Sequence, residues 1–340
     1  MISRRVFAGS LLGAGASLAP GWSALAKPHS AVARHTASRP SAGSSYAAFL
    51  SGVRADALRA GISGAILDQA LALGSPNARV LQLDRHQPEF TLTWAQYRDR
   101  VIGPARLQHA AEAYQQNLPQ LTALWDRYQV DPRAVIGIWG LESNFGTRIG
   151  TFGVVDALAT LAFDGRRSAF FRSELMNALK ILGRGGIAPS AMLGSYAGAM
   201  GQPQFMPSSY LRYAVPFEGG GQADIWTSKL DSFASISNYL GRCGWVAGQP
   251  WGQKVTLTQP IAPSMAGRQN VRTLGQWERL GVRREDGTRF SQNDVRGALL
   301  MPDGASGDAF MVYDNFNVIR RYNPSDFYAL AVGLIGNAAA

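Results

Sequence analysis

Residues 131–146 read Asp131-Pro132-Arg133-Ala134-Val135-Ile136-Gly137-Ile138-Trp139-Gly140-Leu141-Glu142-Ser143-Asn144-Phe145-Gly146. An aspartate followed by proline is a strong helix start, because the carboxylate caps free amides and proline loses nothing at the first helical position. The helix it opens should stop by Gly146. Val135, Ile138, Trp139 and Glu142 lie three, four and seven residues apart and therefore share one face. A carboxyl thus continues an apolar stripe, in the last turn, where the helix dipole disfavours negative charge. Desolvation and dipole both raise its pKa, the condition for a general acid near neutral pH. Periodicity alone also fits a structural role for Glu142, neutralised by an arginine or bonded to a backbone amide.

Outward from this helix the chain is mainly α, with β structure late. Helical patterns run from Tyr46 to about Leu73 and from Trp94 to Val130, with a break near Gly103-Pro104. Further helices are expected over 155–163, over 167–182 up to Gly183-Arg184-Gly185-Gly186, over 230–242 and over 326–334. Val255-Thr256-Leu257-Thr258, Ala298-Leu299-Leu300-Met301 and Phe310-Met311-Val312-Tyr313 read as short strands. The fold class is mainly α (α+β), with a small β-containing part at about 250–320 and no internal repeat.

The chain has 340 residues, is 46% hydrophobic and only 16% charged, so it can bury a core and is no coiled coil or disordered polymer. Its net charge of +10 suits an acidic polymer, nucleic acid or anionic lipid. Cys243 is the one cysteine, so no intramolecular disulfide or thiolate metal cluster can form. The four histidines, His29, His35, His86 and His109, show no ligand spacing, so no zinc site is expected.

The N-terminus, Met1-Ile2-Ser3-Arg4-Arg5-Val6-Phe7, precedes a short apolar stretch from Ala8 to about Ala19 and then Ser23-Ala24-Leu25-Ala26. Residues 1–26 read as a signal peptide. The paired arginines suit the twin-arginine route, with an ordinary secretory signal as the plainer alternative. The apolar run is about 12 residues against the roughly 20 that span a bilayer, so no stable membrane anchor is expected. Residues 27–45, rich in Ser, Ala and Pro, read as a flexible leader. After cleavage the chain carries +8, and an exported basic protein meets envelope polymers rather than nucleic acid.

The block Glu142-Ser143-Asn144-Phe145-Gly146 is followed by Gly194-Ser195-Tyr196-Ala197-Gly198-Ala199-Met200-Gly201-Gln202-Pro203-Gln204-Phe205-Met206-Pro207-Ser208-Ser209-Tyr210. With Val155-Asp156-Ala157-Leu158-Ala159-Thr160-Leu161, Arg166-Arg167, Asn238-Tyr239-Leu240, Gly244-Trp245 and Arg321-Tyr322-Asn323, the chain resembles the lytic murein transglycosylases of the membrane-bound B type. The resemblance runs from about Tyr46 to Val332. It implies a lysozyme-like helical catalytic core at about 131–245 inside a catalytic region of 46–335, in a soluble periplasmic member of the family.

It also implies that Glu142 is the catalytic acid and that peptidoglycan glycan strands are the substrate. Tyr97, Arg166, Arg167, Ser195, Gln204, Tyr239, Tyr322 and Asn323 match the family's saccharide cleft. Taken singly, Tyr97 and Tyr239 could be core residues, Arg166-Arg167 a solvated helix start, and Ser195 and Gln204 parts of a polar turn. Within the family pattern the arginines would hold anionic peptide or lactyl groups, and Ser195 and Gln204 would bond N-acetyl groups.

The resemblance implies cleavage of the β-1,4 bond between N-acetylmuramic acid and N-acetylglucosamine, with 1,6-anhydromuramyl ends. Two other readings stand beside it. One is a hydrolytic muramidase pairing Glu142 with Asp156 or Asp164, and the other is a catalytically silent peptidoglycan-binding protein. Other cell-wall enzymes are candidate partners. Two departures from the pattern stand out. Phe170 replaces a tyrosine common in the family, and residues 216–226 occupy the place of a loop that resembles an EF-hand in relatives. Pro216 and Gly220 fall where a calcium loop wants acids, leaving Glu218, Gln222, Asp224 and Asp231, so no cofactor is expected.

Overall fold

A computed structural model describes residues 45–85 and 92–340. The signal-peptide and leader readings (1–26 and 27–45, save Ser45) and His86 lie outside the described residues. The chain begins with α1 (Tyr46–Arg59), α2 (Gly64–Ala70) and α3 (Ala78–Arg85). Next come α4 (Trp94–Val101) and α7 (Pro132–Ser143), opened by the side-chain caps Thr93 and Asp131, and between them α5 (Pro104–Gln116) and α6 (Leu118–Tyr128), each with proline in its first turn. Asp131 accepts the Arg133 amide at 2.9 Å, with Pro132 in the first turn. Helices α8 (Val154–Asp164), α9 (Ser168–Gly183), α10 (Pro207–Tyr213) and α11 (Lys229–Arg242) complete the helical body around α7. A two-residue ribbon, β1 (Phe152–Gly153) with β2 (Leu193–Gly194), ties its loops together.

The late β module holds β3 (Gly252–Leu257), β4 (Val271–Thr273), α12 (Leu274–Arg279), β5 (Val282–Arg284), β6 (Arg296–Leu300) and β7 (Ala309–Val312). Its antiparallel strands are ordered β4-β6-β7-β3-β5. Successive side chains alternate between faces. Ala298, Leu300, Phe310 and Val312 join the main core, while Leu299, Ala309 and Met311 join a second core with Trp277 and Val282. Coverage on both faces explains why these strands read as continuous apolar runs.

The β structure ends at Val312. Residues expected to belong to it form α13 (Asp314–Tyr322) instead, followed by α14 (Asp326–Asn337). Asn315 and Asn317 are poor helix formers, and Tyr313 gives α13 no side-chain cap, so its helical signal is weak.

The module is pinned to the helical body through α4. Asp303 accepts the first amides of that helix, Trp94 N at 2.7 Å and Ala95 N at 2.8 Å. Asp308 accepts Trp94 Nε1 at 2.9 Å and pairs with Arg98 at 2.7 Å. Helix α14 lies along α7 at backbone distance, because a Cβ on Gly137 would sit 2.3 Å from the Val332 carbonyl oxygen, and one on Gly336 2.5 Å from that of Arg133. No helix of the described residues is long and apolar enough to cross a membrane.

The α7–α14 seam yields a first prediction. Gly137→Val overpacks it and should lower stability by about 1–3 kcal/mol, read by thermal denaturation. A melting temperature equal to that of the parent chain would show that the two backbones need no such close approach.

Candidate active site

Glu142 lies in the last turn of α7, where the buried stripe of Val135, Ile138 and Trp139 delivers it to a partly exposed position among buried neighbours. Its Oε1 accepts a 2.7 Å hydrogen bond from the Tyr328 hydroxyl, one turn into α14. Burial pushes the carboxyl pKa up from 4.5 to about 8, and the Tyr328 bond pulls it partly back. The influences on its charge are these two, with no second carboxylate among them. A carboxyl held in this way is protonated at neutral pH, can give its proton to a leaving group, and can take one back as a carboxylate.

Tyr328 was not singled out by sequence, although a tyrosine inside the apolar stretch Ala329-Leu330-Ala331-Val332 signals a hydroxyl that needs a buried partner. It is fully buried, its amide is capped by Ser325 Oγ at 3.3 Å, and its ring lies parallel to that of Tyr322 with centroids 6.5 Å apart. Burial, followed by the nearby Glu142 charge, holds the Tyr322 and Tyr328 hydroxyls well above the usual phenol range. Both remain neutral donors.

From Tyr322 the aromatic wall continues to Tyr239 at 4.7 Å and on to Tyr213 at 4.4 Å, with Phe205 behind it. The Tyr239 hydroxyl donates to the Arg321 carbonyl and that of Tyr322 to the Pro203 carbonyl, each at 2.5 Å. Tyr97, on α4, bears electrostatically on Tyr328. The structure therefore brings Glu142, Tyr97, Tyr239 and Tyr322 into one neighbourhood.

Ser195 and Gln204 belong to a loop folded on itself by bridges Gly194–Met200 and Met200–Phe205. Ser195 Oγ accepts the amides of Ala197 and Ala199, at 3.3 and 3.1 Å. Gln204, at a positive φ of 50°, donates through Nε2 to Gly201 O at 2.7 Å and Ile149 O at 3.1 Å. Gly201 is needed here, since its φ is 62° and a Cβ would meet the Ile225 carbonyl at 2.5 Å. The loop reaches the site through Pro203, and Gln202 clamps it to α7 by accepting Trp139 Nε1 at 2.8 Å. Asn323 Oδ1 accepts the Ser325 amide at 3.1 Å and turns the chain from α13 into α14.

Arg166 and Arg167 sit at the turn between α8 and α9. Arg166 pairs with the buried Asp84 at 2.7 Å, yet 58% of its side chain is exposed. Arg167, at φ 55°, lies over the rings of Phe171 and Phe170. Their contacts are with these groups rather than with Glu142, and the half-exposed Phe170 presents a bare ring.

Asp156 and Asp164 are engaged elsewhere, Asp156 accepting Asn77 Nδ2 at 2.7 Å and Asp164 pairing with Arg85 at 2.9 Å. In the EF-hand-like segment, Asp231 accepts the amides of Phe217 and Asp224, at 3.0 and 2.8 Å. Asp224 accepts from Trp226 N and from the amide and hydroxyl of Thr227. Backbone donors thus occupy the carboxylates a calcium ion would want, Glu218 points to solvent, and the donor set does not fit calcium. Among the described residues no group of three or more His, Cys, Asp or Glu could hold a metal ion.

The family described as "Transglycosylase SLT domain" matches residues 45–337. Membrane-bound lytic murein transglycosylase B of Escherichia coli K12 is 34% identical over 250 residues, 73% of this chain and 67% of that protein. SltB3 from Pseudomonas aeruginosa, solved in complex with NAG-anhNAM-pentapeptide, superposes with a TM-score of 0.83 at 41% identity, covering 87% of this chain and 80% of that one. Escherichia coli lytic transglycosylase Slt35, solved in complex with calcium, gives 0.73 at 31% identity over 86% and 92%.

Two outcomes follow from the site's charges. Because Glu142 has a higher pKa folded than unfolded, the stability it contributes is full below about pH 4.5 and is lost as pH rises to about 8. Relative to wild type, Glu142→Gln should therefore gain stability progressively over that window, by a few kcal/mol at about 1.4 kcal/mol per pKa unit. A pH-independent difference in denaturant titrations would contradict the buried-acid assignment. Calcium or a chelator should leave the melting temperature unchanged, and a calcium-dependent rise would show the 216–231 loop to be a metal site after all.

Proposed function

The chain belongs to the transglycosylase SLT domain family and is a peptidoglycan lytic transglycosylase; within that activity we propose that Glu142 works alone as acid and then base. Glu142 protonates the oxygen linking N-acetylmuramic acid to N-acetylglucosamine, and the bond from that oxygen to the muramyl C1 breaks. The substrate's acetamido group stabilises the cationic centre that develops at C1. The Glu142 carboxylate next takes the proton of the muramyl C6 hydroxyl, whose oxygen closes on C1 to give a 1,6-anhydro ring. Glu142 ends protonated, as it began, and no water is consumed.

The observation that carries this reading is the Glu142 carboxyl, raised by desolvation to about 8, with no second carboxylate bearing on it. A hydrolytic muramidase needs a second acid, and Asp156 and Asp164 are bonded to Asn77 and Arg85 instead. The anhydro-sugar ligand in the SltB3 complex is in keeping with the same chemistry.

Around Glu142, Tyr97, Tyr239 and Tyr322 form a largely buried aromatic wall that backs the sugar-binding surface, and Tyr328 sets the orientation and acidity of the carboxyl. Ser195 keeps its own hydroxyl hydrogen, and Gln204 its Oε1, to bond N-acetyl groups. Asn323 shapes the rim. The exposed part of the Arg166 guanidinium and that of Arg167 form a cationic edge for stem-peptide or lactyl carboxylates. The N-terminal sequence supports export to the periplasm through the twin-arginine route, with cleavage near Ala26, and other cell-wall enzymes are candidate partners.

Mass spectrometry of muropeptides released from purified sacculi tests the chemistry. Fragments lighter by one water than hydrolysis products are expected with wild type and absent with Glu142→Gln. Reducing-end products would instead mean a muramidase, and equal release by the variant would remove Glu142 from the reaction. Activity should fall as pH rises through about 8. In Tyr328→Phe that alkaline limb should move upward, since the lost hydrogen bond is the influence that lowers the Glu142 pKa, and a downward shift would contradict this arrangement.

A further inference from the structure

At the opposite end of α7 from Glu142 lies a cavity of about 400 Å³, within the roughly 300–1,000 Å³ typical of small-ligand sites. Its walls are Tyr114 of α5, Thr122 and Trp125 of α6, Asp131 to Arg133 at the start of α7, and the segment Gly248-Gln249-Pro250. Arg133 and Glu142 are nine residues apart on one helix, about 14 Å at 1.5 Å per residue, with the protein core between them.

The site is preformed. The fully buried Asn315 fixes the 246–250 segment by accepting Val246 N at 2.7 Å and donating to Val246 O at 2.9 Å and Gln249 O at 2.6 Å. Arg133 is held by Asp131 through Nε, at 3.0 Å to both carboxylate oxygens, and through Nη2 at 2.6 Å.

The chemistry of this cavity selects its ligand. The ion pair cancels its own charge, so the site favours neither anion nor cation. The rings of Trp125 and Tyr114 are half-buried and offer flat apolar faces. Among the described residues no hydrogen bond uses Trp125 Nε1, Tyr114 Oη or Arg133 Nη1. Flat apolar faces beside unengaged donors, with no net charge, match a neutral pyranose rich in acceptor oxygens, above all one with an acetamido carbonyl. We propose that this cavity is a second saccharide site, which takes an N-acetylhexosamine unit of a glycan strand other than the one being cleaved. The choice of glycan rests on the peptidoglycan reading above. Holding a second strand raises the effective concentration of substrate at Glu142 without contributing to the chemistry.

Calorimetric titration of the Glu142→Gln protein with tetra-N-acetylchitotetraose tests the site, because the probe is not consumed. Two equivalents are expected to bind. One equivalent should remain in Glu142→Gln combined with Trp125→Ala, or with Thr122→Trp, which fills the cavity from an exposed position on α6. Independently of either variant's folding, the Trp125 indole N–H resonance, assigned by its loss in Trp125→Phe, should shift as the probe is added. A single equivalent together with an unmoved indole resonance would overturn the second site and leave the cleavage reading intact. An indole shift, together with a wild-type protein that releases no anhydro products from sacculi, would keep the saccharide site and remove the cleavage reading instead.

Discussion

The 2.7 Å hydrogen bond from Tyr328 to Glu142 is the contact on which the rest of this structure converges. It joins the C-terminal turn of α7 to the N-terminal turn of α14, two helices that are 186 residues apart where they meet. The contact needs the helices at backbone distance, which Gly137 and Gly336 permit, and it needs α14 to start at the right place, which Ser325 and Asn323 set. Burial alone would raise the carboxyl still further. One phenol donor tempers the shift while keeping the acid neutral near pH 7, so the group is both aimed and tuned by the same atom.

The β module supports this arrangement from outside. Phe310 and Val312 back the main core, Phe310 and Phe327 stack edgewise on Trp94, and Asp303 and Asp308 fasten α4, the helix that carries Tyr97. On the other flank, Gln202 and Tyr322 hold the glycine-rich loop against α7 and α13. Each wall of the site thus comes from a different part of the chain and is locked by a buried polar contact, which keeps a reactive carboxyl in one geometry.

Much of this was legible in the sequence. Asp131-Pro132 marked the start of α7, the three-and-four spacing placed Glu142 on its buried stripe, and short strand-like runs set between Gly, Pro and Asp marked β3, β6 and β7. The elements that went unread are those with little local signal: the three-residue strands β4 and β5, the six-residue α12, the short α3 and α10, and the asparagine-bearing α13. Tertiary packing rather than propensity stabilises such pieces. At the site, the polar partners were the illegible part. Nothing in Ser195 or Gln204 showed that their side chains would brace their own loop, nor in Arg166 that Asp84 would hold it, because such contacts depend on distant segments arriving together. Tyr328 carried a usable clue, a hydroxyl in an apolar helix, but its partner lies on another element.

The central claim is that Glu142 is a protonated acid at neutral pH. Its direct measure is the carboxyl ¹³C resonance of Glu142 in glutamate-labelled protein, assigned by its absence from Glu142→Gln and followed through a pH titration. A midpoint near 8 is the result this account requires. A midpoint near 4.5 would mean an ordinary solvated carboxylate, which has no proton to give the glycosidic oxygen at neutral pH.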